Sequence, residues 1–209
     1  MTDTYTSIAA AVEAEIEVKR SRFLARLEPV SGEAAARAVI ETARRAHWDA
    51  RHHCSAFVLG PDGATVRSSD DGEPSGTASS PMLEVLTGRG LTDVVAVVTR
   101  WFGGTLLGTG GLVRAYSDAV QAAVAEARPV TYELRGLADV RVPMAEAGRL
   151  ENLLRSSGYP VEGADYSAEH VIVRVTLPAA GEAELAQTVA AATAGAGVVE
   201  VTGSAWSRR

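Results

Sequence analysis

Residues 94–104 read Val94-Val95-Ala96-Val97-Val98-Thr99-Arg100-Trp101-Phe102-Gly103-Gly104. The unbroken apolar run 94–98 has no polar side, so it predicts a strand buried on both faces. It runs straight into a polar, aromatic and then glycine break, after which Gly108-x-Gly110-Gly111 opens an Ala-rich helix over 112–127, ended by Pro129.

Toward the amino terminus, apolar alternation over 14–18 and again over 23–27 predicts two strands in a hairpin, joined by the polar turn 19–22. Ser31 is a candidate N-cap for a helix to about His47, with Ala35, Val39, Ala43 and Ala46 on its buried face. Residues 55–59 and 64–66 form a second hairpin around the turn Gly60-Pro61-Asp62-Gly63. A polar run, 68–77, has no apolar period and reads as a loop. Its length suggests function or mobility. Ser79 or Ser80 with Pro81 starts a helix whose Met82, Leu83, Val85 and Leu86 face the core, stopping at Gly88 and Gly90.

Beyond Pro129 the pattern restarts as strand 131–142, helix 145–156, strand 159–164, strand 170–177, helix 181–194 and strand 198–203. That order is βαββαβ, the ferredoxin-like split unit. The expected organisation is therefore α+β in two domains, 1–129 and 131–209.

The 209 residues include 46% hydrophobic and 22% charged, the composition of a chain able to bury a core. A net charge of −6 excludes a protein that coats DNA or RNA by charge alone. Within that total, residues 19–53 carry eight cations against four anions. The basic stretch makes Lys19, Arg22, Arg37, Arg44, Arg45 and Arg51 candidate nucleic-acid contacts, with modest and salt-dependent affinity. The single Cys54 rules out an internal disulfide and a cysteine-based zinc site, pointing to a reducing compartment. The amino terminus lacks the pattern of a secretory signal, and no run approaches the ~20 apolar residues of a spanning helix. The expectation is a cytoplasmic protein without membrane association.

Three segments carry the chemical candidates. Arg51-His52-His53-Cys54 and the acidic loop Asp70-Asp71-Gly72-Glu73 offer proton carriers, with His52, Asp70, Asp71 and Glu73 as catalytic candidates. Their spacing matches no named metal site, and no metal or cofactor is expected. The alternative is that the carboxylates bond loop N–H groups and cap the following turn while His52 donates from a strand. Cys54 suits a core position, and neither Ser55 nor Ser75 has a nucleophile motif around it. In the third segment, Gly103, Gly104, Gly108, Gly110 and Gly111, bracketed by Arg100 and Arg114, are candidates for anion binding at a helix amino terminus. The spacing is neither of the nucleotide phosphate-loop patterns, and a purely structural role in close packing stands beside it.

Four blocks bear a family resemblance. They are Lys19-Arg20-Ser21-Arg22-Phe23, Ala50-Arg51-His52-His53-Cys54-Ser55-Ala56, Ser69-Asp70-Asp71-Gly72-Glu73-Pro74-Ser75-Gly76-Thr77-Ala78, and Arg100-Trp101-Phe102-Gly103-Gly104 through Leu107-Gly108-Thr109-Gly110-Gly111-Leu112-Val113-Arg114-Ala115-Tyr116. In this order they resemble the YigZ/IMPACT family, with Ser79 standing where glycine is expected. The resemblance implies a ribosomal protein S5 domain 2-like first domain and a ferredoxin-like second, a pair similar to the last two domains of the translocase elongation factor. Eukaryotic members are translational regulators with an extra amino-terminal domain; the hairpin beginning near Ala14 leaves no room for it here, so the two-domain bacterial arrangement is expected. The function this suggests is a non-catalytic, translation-associated factor that binds RNA or the ribosome. The alternative is a hydrolase with a His52/acidic-loop cleft beside the glycine-rich anion site.

Overall fold

The structure, a computed structural model, describes residues 2–209. It divides into two compact units, one ending at Tyr132 and the other Glu133–Arg209.

In the first unit, β2 (Val12–Val18), β3 (Ser21–Pro29), β4 (His52–Leu59), β5 (Thr65–Ser69) and β6 (Val94–Trp101) form a sheet in the order β2-β3-β6-β4-β5. Strand β6 is central and antiparallel to both β3 and β4. Its alternation explains the continuous apolar run. Val94, Ala96 and Val98 enter the core formed with α2 (Ser79–Gly88) and α3 (Thr109–Glu126), whereas Val95 and Val97 pack with α1 (Glu33–Ala46). Two layers of helix thus cover a sheet that must be apolar on both sides.

Helix α3 buries Leu112, Ala115, Tyr116, Ala119, Val120 and Ala123, a stripe at helical spacing. Helix α1 buries Ala36, Val39 and Ala43. Ala46 is exposed and Ala35 only partly buried, so the buried stripe is one residue out of step with the expected one at its start. Ser31 is not the cap either: Gly32 occupies that position, and no side chain caps the helix. Strand β1 (Thr4–Ile8), which sequence periodicity does not signal, lies beside the beginning of β7 (Pro129–Pro143), with Tyr5 stacked on Tyr132 at 4.9 Å.

The β2–β3 turn is two residues long, with positive φ at Lys19 (47°) and Arg20 (69°), the backbone of a tight hairpin turn. Gly103 lies against it. A Cβ there would fall 2.1 Å from the carbonyl carbon of Arg20, so only glycine lets these segments meet.

The second unit contains most of β7, α4 (Ala147–Ser156), β8 (Val161–Tyr166), β9 (His170–Pro178), α5 (Glu182–Thr193) and β10 (Val198–Arg208). Its strands lie in the order β10-β7-β9-β8, with β9 antiparallel to both neighbours. This is the ferredoxin-like arrangement, and the whole chain is α+β. Val140, Val142, Val171, Val173, Val175 and Leu177 alternate inward to meet Leu150, Leu154, Leu185 and Val189 of the helices. Strand β10 runs five residues past its expected end.

Candidate functional site

Strand register assembles the site. Arg100 on β6 is paired with Phe23 on β3 and with His52 on β4. The three therefore form one row across the sheet, on the same face as Cys54, Ala56 and Val98, the face that α3 covers. The acidic loop between β5 and α2 folds over this row.

Each carboxylate of the loop has a different task. Asp70 accepts from the backbone N–H of Gly76 (2.8 Å), Ala78 (3.0 Å) and Ser79 (2.8 Å), closing the loop and capping α2 from a distance. Burial pushes the Asp70 carboxyl upward, but those N–H donors outweigh it and hold the group below its ordinary value. Asp71 accepts from the His53 N–H (2.7 Å) and from Arg44 (2.8 Å), tying the loop to β4 and α1. Glu73 turns inward. Its side chain is 4% exposed, and its Oε1 accepts from Arg100 Nη1 (2.6 Å) and from the Tyr116 hydroxyl (2.7 Å).

His52 donates from Nδ1 to the Asp71 carbonyl at 2.9 Å, since a carbonyl can only accept. That leaves Nε2 as the free ring nitrogen, 4.0 Å from Glu73 Oε1. His53 points to the other face, where Nε2 donates to the His47 carbonyl at 3.2 Å and burial lowers its pKa. Cys54 is buried below the site and donates to the Asp70 carbonyl (3.0 Å). Burial pushes its thiol up to about 12, so it is no nucleophile. Burial also raises the pKa of Tyr116, which keeps its proton and donates it to Glu73.

His52, Glu73 and Arg100 line a cavity of about 420 Å³, together with Arg51, Pro74, Phe102, Leu106, Leu107, Leu112 and the start of α3 at Gly108 and Thr109. Helix α3 has no side-chain cap; its first backbone bond runs from Leu112 N–H to the Gly108 carbonyl, and Gly108 turns the chain into it at φ +72°. The first-turn N–H groups therefore have no intrahelical acceptor, and the Gly108–Thr109 end of the helix lines the cavity. Arg100 is 6% exposed, and among the described residues its Nε–H is the one buried side-chain polar atom without a hydrogen-bond partner. A somewhat larger cavity, about 460 Å³, is lined by threonines, Tyr5, Asp62 and small or apolar residues, with no basic side chain or imidazole in its lining.

Of the expected anion-binding residues, Arg100 and Gly108 line the cavity. Gly103 serves the close approach to Arg20 instead, and Arg114 is exposed on α3, away from the cavity lining. Gly104, Gly110 and Gly111 are not part of the lining. The basic stretch is largely paired within the fold: Arg22 with Glu15, Arg26 with Glu13 and Glu28, Arg37 with Glu33, and Arg44 with Glu41 and Asp71. Arg45 bonds the Glu41 carbonyl, and Arg51 belongs to the cavity. Among the described residues no group of three or more His, Cys, Asp or Glu is placed to hold a metal, and no helix is long and apolar enough to cross a membrane. Phe102, Leu107, Thr109 and Tyr116, present in the family-like blocks, and Leu106 are not among the site residues expected from the sequence. Tyr116 had one available signal, a hydroxyl on an otherwise apolar helix stripe, which needs a buried partner.

Residues 19–124 match the model of the Impact N-terminal domain, and residues 140–196 match a domain of unknown function, DUF1949. The chain is 42% identical over 187 residues to the IMPACT family member YigZ of Escherichia coli (strain K12), covering 87% of this chain and 90% of that one. It is 41% identical over 167 residues to the IMPACT family member YvyE of Bacillus subtilis (strain 168), covering 80% and 77%. A solved structure described as that of an hypothetical protein superposes with a TM-score of 0.68 at 38% identity, covering 96% of this chain and 98% of the other.

Proposed function

This chain belongs to the IMPACT family, and from that premise we propose that it is a cytoplasmic, translation-associated factor that binds RNA, free or in the ribosome, through the cavity of His52, Glu73 and Arg100. The observation that carries the reading is the unpartnered Nε–H of buried Arg100 beside the uncapped start of α3. A buried guanidinium N–H without an acceptor costs roughly 1–3 kcal/mol, and a phosphate oxygen supplies that acceptor. The arginines of α1 and the first hairpin are a weaker alternative surface, because Glu13, Glu15, Glu33 and Glu41 already neutralise most of them.

Titration of labelled structured RNA and of ribosomes at low and moderate salt tests this. Arg100→Gln is expected to weaken binding about tenfold or more, and Arg37→Ala with Arg45→Ala by less than about threefold. Absence of binding at both salt concentrations, or an Arg100→Gln protein that binds as tightly as the parent, overturns it.

A hydrolase using the same cavity is the second reading, favoured by the free Nε2 of His52 at 4.0 Å from Glu73. There, Nε2 takes the proton of an attacking water as the ester bond breaks, and the leaving alcohol gains a proton. Turnover of a phosphate ester that His52→Ala abolishes supports this reading; turnover unchanged by that substitution rejects it.

A further inference from the structure

We propose that the cavity takes a phosphate monoester carried on a nucleoside body, so that it recognises the phosphorylated end of an RNA chain or a free mononucleotide rather than an internal phosphodiester. This rests on the reading above that Arg100 and α3 form an anion site. The step beyond it comes from shape, charge and the apolar part of the lining.

Shape comes first. Arg100 sits at 6% exposure within a cavity of about 420 Å³. An internal phosphodiester has chain leaving on both sides and reaches arginines on open grooves. A monoester has three terminal oxygens and one attachment, so it can enter a recess with its body behind it. The volume lies in the range of small-molecule sites, roughly 300–1,000 Å³.

Charge points the same way. Arg51 and Arg100 line the cavity against the single carboxylate of Glu73, whose Oε1 is already engaged by Arg100 Nη1 and Tyr116. The Arg51 guanidinium and the Thr109 hydroxyl and N–H, at the cavity end of α3, remain as donors for several oxygens at once, beside the unpartnered buried Nε–H of Arg100. A monoester carries about −1.5 to −2 at neutral pH and uses more of these donors than a diester, which carries a single charge.

The remaining wall is apolar. Phe102, Leu106, Leu107 and Leu112 complete the lining, with the Phe102 ring centroid 5.9 Å from the Arg100 guanidinium carbon. Phe102 is 45% exposed and Leu106 83%, a cost in water that a stacked base or the carbon face of a ribose removes.

The test uses the full chain and five probes: inorganic phosphate, adenosine, AMP, and one short RNA carrying either a 5′-phosphate or a 5′-hydroxyl. AMP is expected to bind about tenfold or more tightly than adenosine, and the 5′-phosphorylated RNA about tenfold more tightly than its hydroxyl twin, both differences vanishing in Arg100→Gln. Phe102→Ala and Leu106→Ala, at the rim, are expected to weaken AMP while leaving inorganic phosphate unchanged. They keep the test decisive if Arg100→Gln fails to fold. RNA binding that depends on Arg100 but ignores the end group overturns this inference and leaves the RNA reading standing. AMP binding without RNA binding overturns the RNA reading and supports a free nucleotide as ligand. Equal affinity for AMP and adenosine overturns the inference outright.

Discussion

Glu73 Oε1 accepts from two donors, Arg100 Nη1 and the Tyr116 hydroxyl, and the Tyr116 oxygen lies 3.3 Å from the Cys54 sulfur, whose proton goes to the Asp70 carbonyl. The charge is thus balanced by a guanidinium and shared along a short polar chain inside an otherwise apolar core. Gly103 is the other residue on which local geometry depends. A methyl group there meets the backbone of Arg20 and Ser21 at 2.1–2.4 Å, and backbone cannot swing aside as a side chain can. Gly103→Ala is expected to cost about 3 kcal/mol, read as a lower urea midpoint with an unchanged far-ultraviolet spectrum. A variant as stable as the parent would show that the β2–β3 turn and the strand end do not touch as described.

Helix α2 and the loop before it form one unit whose stability hangs on Asp70. Three N–H groups converge on that carboxylate, two of them at the helix start, where no residue of the helix supplies a cap. Asp70→Ala is expected to destabilise the protein by about 2 kcal/mol, and Asp70→Asn, which retains an acceptor, by about half as much. Thermal melts of the two variants check the ranking. Equal losses would mean that charge, and not the acceptor geometry, holds the loop. The sequence carried both readings of this loop, acid–base chemistry and backbone capping. The structure divides them residue by residue: Asp70 and Asp71 bond backbone and Arg44, while Glu73 alone turns into the cavity with His52. Spacing along a loop cannot show which side chain points inward, because irregular backbone has no period.

At the scale of the molecule, acid stability follows from groups held away from their ordinary pKa. His53 is lowered by burial, so the unfolded chain binds more protons as pH falls through the ordinary histidine value near 6.5. Stability is expected to fall from there down to the folded-state value. The Asp70 carboxyl lies below its ordinary 3.8, so its contribution is present above that pH and disappears only as pH falls through its lower folded value. Two separate declines are expected in a series of urea midpoints against pH, and His53→Gln is expected to remove the upper one while sparing the lower. An identical upper slope in parent and variant would show that His53 does not cause the upper decline.

Periodicity along the chain determined which segments are strands and helices: the unbroken run 94–98 required a strand covered on both faces, and the βαββαβ order required the ferredoxin-like unit. These features are local, since burial on one or two faces writes its period directly into consecutive residues. What lay across the chain was decided by folding. The basic stretch looked like a surface for phosphate until β2 paired with β3 and set Glu13 and Glu15 against Arg26 and Arg22. The site itself depends on the register that puts His52, Arg100 and Phe23 in one row and on α3 bringing Tyr116 to Glu73. Charge and proximity sum over neighbours in space, and the neighbours that build the site are 43 to 77 positions apart in sequence, beyond the reach of any period.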